Sequence, residues 1–105
     1  SIVTGKILEA IKVEKTDKLL KLLVDIGTEQ RTIVSGIAEH FEPSTLVCQD
    51  VLVVQNLAPR KLRGIESKGM LLTAEDADGK LGIVAPPVGW PLGSKVKQEC
   101  TNVIF

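Results

Sequence analysis

At 105 residues, 44% of them hydrophobic and 25% charged, the chain fits one domain spanning 1–105, with a sizeable core and no room for a second, catalytic domain. Its 13 basic and 13 acidic residues cancel, which excludes a global field drawing it onto a polyanion, so any nucleic-acid binding must rest on a local patch. No apolar run reaches the ~18 residues of a membrane-spanning helix and no charged-then-apolar signal opens the chain, so a cytoplasmic protein is expected, and the first residue, Ser1 in place of Met, fits a piece cut from a longer polypeptide.

Val3 to Val13 is rich in β-branched and aliphatic residues and predicts a first strand, ended by the polar turn Glu14 to Lys18. In the second run Leu20, Leu22, Val24 and Ile26 fill one parity while Leu19, Lys21, Leu23 and Asp25 mix on the other, the signature of a strand with one core face and one partly wet face. Gly27 to Gln30 is a short turn, and Arg31 to Ser35 a third strand completing a hairpin. Gly36 ends it. Ile37 to Leu46, interrupted by Pro43, is the one stretch where a short helix or turn fits. Val51 to Val54 is a continuous aliphatic run predicting a buried fourth strand, closed by Asn56 and Pro59. Met70 to Ala74 and Leu81 to Ala85 predict two more strands about the turn Asp76 to Gly79; Pro86 to Pro91 is an extended loop, and Gly93 to Phe105 holds one or two last short strands.

Short strands at such intervals, with one short helix between strands 3 and 4, predict an all-β protein: a small closed barrel in the order of the oligonucleotide/oligosaccharide-binding (OB) fold. A β-sandwich is the alternative. There is no internal repeat.

Asn56 to Met70 holds the chemistry. Arg60, Lys61, Arg63 and Lys68 oppose a single carboxylate, Glu66, whereas Glu75, Asp76 and Asp78 outnumber Lys80 just beyond, so charge is segregated along the chain. Lysine and arginine in such a segment neutralise phosphates, and the arginine plane also accepts an unpaired base. Cys48 and Cys100 have neither C-x-x-C nor Cys/His spacing, so no metal or cofactor is expected and reduced thiols are favoured over a disulfide. His40 has no second histidine or nearby cysteine and reads as a surface residue. No serine has a base and orienter beside it and there is no P-loop, so an enzyme is not expected.

The phrase N-L-x-P-R-K-L-R-G-x-x-S-x-G-M-L-L, Asn56 to Leu72, resembles the signature of the tRNA-binding domain of methionyl-tRNA synthetases, free-standing bacterial tRNA-binding proteins and the eukaryotic synthetase cofactor related to endothelial monocyte-activating polypeptide. Val3 to Ile7, Asp17 to Leu19 and Ile33 to Ile37 agree, so the resemblance runs to about Val96. It implies an accessory OB barrel that reads tRNA by shape and backbone, with no small-molecule substrate and no membrane. Contacts implied by matching positions are Lys18, Arg31, Ser35, Asn56, Arg60, Lys61, Arg63, Ser67 and Met70. The residues before Gly5 lack the arginine common in the family, and no aromatic lies in the basic segment, which favours backbone recognition over base stacking. A protein-interaction or cytokine-like domain is the alternative function, against which the end of the chain at Phe105 speaks. The resemblance and the apolar tail Val103–Ile104–Phe105 together lead to the expectation of a homodimer or a synthetase partner.

Overall fold

The computed structural model describes residues 1–97. Ten short strands and one helical turn follow in the order β1 (Ile2–Lys12), β2 (Leu20–Asp25), β3 (Gln30–Ser35), α1 (Pro43–Leu46), β4 (Asp50–Val54), β5 (Arg60–Leu62), β6 (Ile65–Ser67), β7 (Met70–Leu71), β8 (Thr73–Glu75), β9 (Leu81–Ile83) and β10 (Lys95–Val96).

The long strand β1 organises the barrel. Its first half, Ile2 to Lys6, pairs antiparallel with β4, and its second half, Lys6 to Lys12, with β2, with a register shift between Ile7 and Glu9. A shift of that kind increases twist and lets one strand serve two neighbours on a curling sheet. The order β3-β2-β1-β4-β7 then curls until β3 meets the segment before β7, where Lys68 N–H donates to the Thr32 carbonyl at 2.9 Å. That contact brings the two ends of one sheet together, so the barrel is correct and the sandwich is not.

The interior is the parity read from the sequence. Leu20, Leu22 and Val24 are fully buried and Ile26 nearly so, joined by Ile7, Ile33, Val51 and Val53. Each such side chain contributes roughly 1.5–3 kcal/mol by leaving water. The single turn α1, with Pro43 at its start, inserts Leu46 as a plug between β3 and β4.

The stretch after β9 is fastened by Thr4. Its buried hydroxyl donates to the Pro91 carbonyl at 2.8 Å and accepts from Ser94 N–H at 3.0 Å, while Gly93 N–H donates to the Thr4 carbonyl at 2.8 Å. Gly93, at φ +80°, lies so close to the β2–β3 turn that a Cβ there would sit 2.6 Å from the Ile26 carbonyl oxygen. Only glycine fits.

Two expectations are corrected in detail. Met70 to Ala74 is not one strand: β7 and β8 are separate at Leu72, whose N–H still donates to the Leu52 carbonyl at 3.1 Å. The basic segment, for which the sequence predicts no strand, forms a β-hairpin, β5–β6. Of the tail, β10 pairs with β1, whereas Val103 to Phe105 and Cys100 lie outside the described residues. Among the described residues no helix is long and apolar enough to cross a membrane.

Candidate nucleic-acid interface

The β5–β6 hairpin has a two-residue turn. Leu62 pairs with Ile65, and the intervening Arg63 and Gly64 have φ of +53° and +80°. Left-handed backbone at both central positions is the turn whose twist matches that of the flanking strands. Pairing puts Arg60 opposite Ser67 and Lys61 opposite Glu66, so alternation divides the hairpin into two faces. Arg60, Leu62, Ile65 and Ser67 share one face; Lys61 and Glu66 share the other.

The first face covers a groove of about 380 Å³ between the hairpin, β3 and β7. Leu57, Ala58, Leu62 and Met70 make aliphatic walls; Ser35 and Arg60 add polar groups. Met70 is 52% exposed and so belongs to the groove wall rather than to the core. The combination offers an apolar surface for a ring or sugar beside a planar cation that accepts phosphate or a base edge.

Two of the expected residues hold the groove in shape. Ser67 is only 6% exposed; its hydroxyl accepts the Val34 N–H at 3.0 Å and donates to the Gly69 carbonyl at 3.3 Å, tying β6 to the free edge of β3. Arg31 has a side chain 19% exposed, donates from Nη1 to the carbonyls of Gln55 and Lys68, and pairs through Nε with Glu29 at 3.1 Å. It braces β3 against the segments that carry the hairpin.

The remaining expected residues diverge. Lys61 stands on the outer hairpin face; Lys68, a cation of the basic segment outside the implied contacts, is exposed, with its ammonium 3.7 Å from Glu66. Arg63, at the tip, faces a second groove beside the β1–β2 loop, with Lys12, Lys15 and Lys21. Lys18, in that loop, and Asn56, whose Oδ1 accepts from the Ser1 nitrogen at 2.7 Å, are exposed and line neither groove. The basic cluster of the sequence is therefore not one patch in space. Sequence reasoning missed the apolar walls Leu57 and Leu62 and the lysines that line a groove with Arg63, and no sequence signal marks the latter, since they come from segments far from Arg63 along the chain.

His40 is exposed, as expected, and Cys48 is an exposed free thiol. Among the described residues no group of acidic, histidine and cysteine side chains could hold a metal ion.

Comparison with known proteins converges on one family. The profile of the family described as a putative tRNA binding domain matches residues 2–95. The methionine–tRNA ligase of Parabacteroides distasonis is 54% identical over 93 residues, covering 89% of this chain and 14% of that protein. The corresponding ligase of Deinococcus radiodurans is 55% identical over 85 residues, covering 81% of this chain and 12% of that protein. The chain thus spans only a small part of the length of these curated relatives. Among solved structures, a MetRS-related protein from Pyrococcus horikoshii matches with a TM-score of 0.87 at 43% identity, over 91% of this chain and 88% of that one.

Proposed function

Because this chain belongs to the family of putative tRNA-binding domains, we propose that it is a non-catalytic module that holds tRNA by shape and backbone on behalf of an aminoacyl-tRNA synthetase. The observation carrying this reading is the groove under the β5–β6 hairpin, where Arg60 and Ser35 flank an aliphatic wall ended by the half-exposed Met70. A folded RNA presents sugar–phosphate edges and single unpaired bases to such a surface. Ser35, Arg60 and Met70 make contact at the groove; Lys61, Arg63, Lys18 and Asn56 meet the surrounding backbone; Arg31 and Ser67 hold the frame.

Phosphate contacts orient a protein on RNA but carry no sequence information, so the module contributes affinity and leaves identity to another domain. Its partners are tRNA and a synthetase body or a second copy of the chain, and its place of work is the cytoplasm. The pairing expected from Val103 to Phe105 stands with this proposal.

Fluorescence anisotropy of labelled total tRNA, with duplex DNA of equal length as control, tests the reading. Micromolar binding to tRNA that weakens steeply with salt and exceeds that to duplex is expected. Equal binding of both, or none at low salt, overturns it.

A further inference from the structure

We propose that the groove beside the hairpin tip is a second phosphate-binding site, formed by Lys12, Lys15, Lys21 and Arg63, which takes the sugar–phosphate backbone of the same RNA. This rests on the tRNA-binding reading and extends it to residues that no motif marks.

Three observations carry it. The groove has a volume of about 510 Å³ and lies between the end of β1, the β1–β2 loop, β2 and the hairpin tip, so four separate segments aim a cation at one hollow. Glu14 alone opposes them there, and among the described residues none of the four cations is in an ion pair. Four like charges against one carboxylate raise the local potential, and an anion bound between them relieves that repulsion.

The backbone supplies the second observation. Among the described residues only three non-glycine residues have positive φ, and two of them, Lys15 at +62° and Arg63 at +53°, are cations of this groove. The left-handed region disfavours long side chains, and asparagine or glycine would occupy either position with less strain. The two-residue turn imposes that backbone at Arg63, so the observation that bears on a ligand is the residue type: both left-handed positions carry a long cation that lines the same hollow.

The third is the wall. Ile11 is 55% exposed and lines the groove with Ile65, which adds aliphatic surface to the cationic wall. Mixed apolar and cationic surface suits an alternating ribose and phosphate chain, whereas a free anion would need no such aliphatic surface. Arg63 and Ile65 of the β5–β6 hairpin line this groove, and Arg60 and Leu62 of the same hairpin line the other, so RNA lying along the hairpin reaches both.

The test uses the double variant Lys15→Asn/Arg63→Asn, which removes two charges while giving both left-handed positions a residue that favours them, so that misfolding cannot mimic the result. Anisotropy titrations with total tRNA between 50 and 200 mM salt, alongside Arg60→Ala and the remote charge control Lys80→Gln, read the outcome. For the double variant, binding about tenfold weaker and a log–log salt slope shallower by roughly 2 are expected, at about 1 per lost phosphate contact. Lys80→Gln should bind as the parent does, and the double variant should melt no lower. Parental affinity and slope in the double variant, with Arg60→Ala impaired, overturn this site and leave the tRNA reading standing. No tRNA binding by the parent overturns both, and retained tRNA binding with lost binding to anionic vesicles would assign the groove to a membrane surface instead.

Discussion

Replacing Ser67 with alanine separates a framework role from an RNA contact. The hydroxyl is the acceptor for the Val34 N–H at 3.0 Å, and both residues are 6% exposed. Without it the N–H at the edge of β3 loses its partner inside the barrel wall. A buried donor left unpaired costs about 1–3 kcal/mol, toward the lower figure where a water can enter from the adjoining groove. In a domain of this size each kcal/mol moves the melting midpoint by about 4–8 °C, so Ser67→Ala should melt at least ~4 °C and up to ~24 °C lower. Circular dichroism melts give the midpoint, and a tRNA titration well below it gives the affinity of the folded variant. That affinity should stay within about threefold of the parent, a difference of roughly 0.65 kcal/mol. An unchanged midpoint together with tenfold weaker binding would refute the framework assignment and make the hydroxyl a direct contact.

The paired substitution Arg60→Ala/Lys61→Ala should weaken tRNA binding about tenfold or more at moderate salt with little change in melting, most of the loss coming from the groove-facing Arg60; an unaltered binding constant by filter assay sinks the assignment. Gly93→Ala forces both a left-handed alanine and a Cβ against the Ile26 carbonyl, and should destabilise by about 1–3 kcal/mol from the backbone alone, seen as a lower urea midpoint. Several purified tRNA species should bind with affinities within about tenfold, or 1.4 kcal/mol, of one another; a larger preference for one isoacceptor would contradict backbone recognition. Light scattering at micromolar concentration should give twice the 11.3 kDa chain mass, and a mass near that of one chain refutes the homodimer.

The barrel was legible where burial imposes a period. Leu20, Leu22, Val24 and Ile26 announce an inward face because a strand with one wet side has little other choice, and the run Val51 to Val54 announces a strand walled in on both sides. The β5–β6 hairpin was not legible for the opposite reason. Arg60–Lys61–Leu62 and Ile65–Glu66–Ser67 are three residues each, mostly polar, with no apolar alternation to detect. Their strand conformation is held from outside, by Lys68 N–H on Thr32 and Val34 N–H on Ser67. The strap Pro86 to Ser94 escaped similarly: its anchor is Thr4, some 90 residues away in sequence, and a lone threonine in an apolar strand gives no hint of its partner.

The site was legible in composition but not in arrangement, and the difference bears on how a neutral protein holds a polyanion. Adjacent cations in sequence suggest one dense patch, yet strand alternation turns Arg60 and Lys61 to opposite faces and the left-handed turn carries Arg63 around the tip. Dense packing of like charge would cost folding energy that a chain with 13 acids and 13 bases has no net field to offset. Dividing the hairpin's own cations between its two faces and its tip limits that cost, and each exposed group acts over about one Debye length, ~8 Å at physiological salt. RNA backbone, itself a string of separated charges, is matched better by cations spaced around a protruding hairpin than by a single cluster. The acidic turn Glu75 to Asp78 lies on the separate β8–β9 hairpin, so three of the 13 carboxylates are held on a different structural unit from the cations that would bind. Neutrality then limits non-specific attraction at long range while leaving short-range binding to the hairpin and the two grooves it lines.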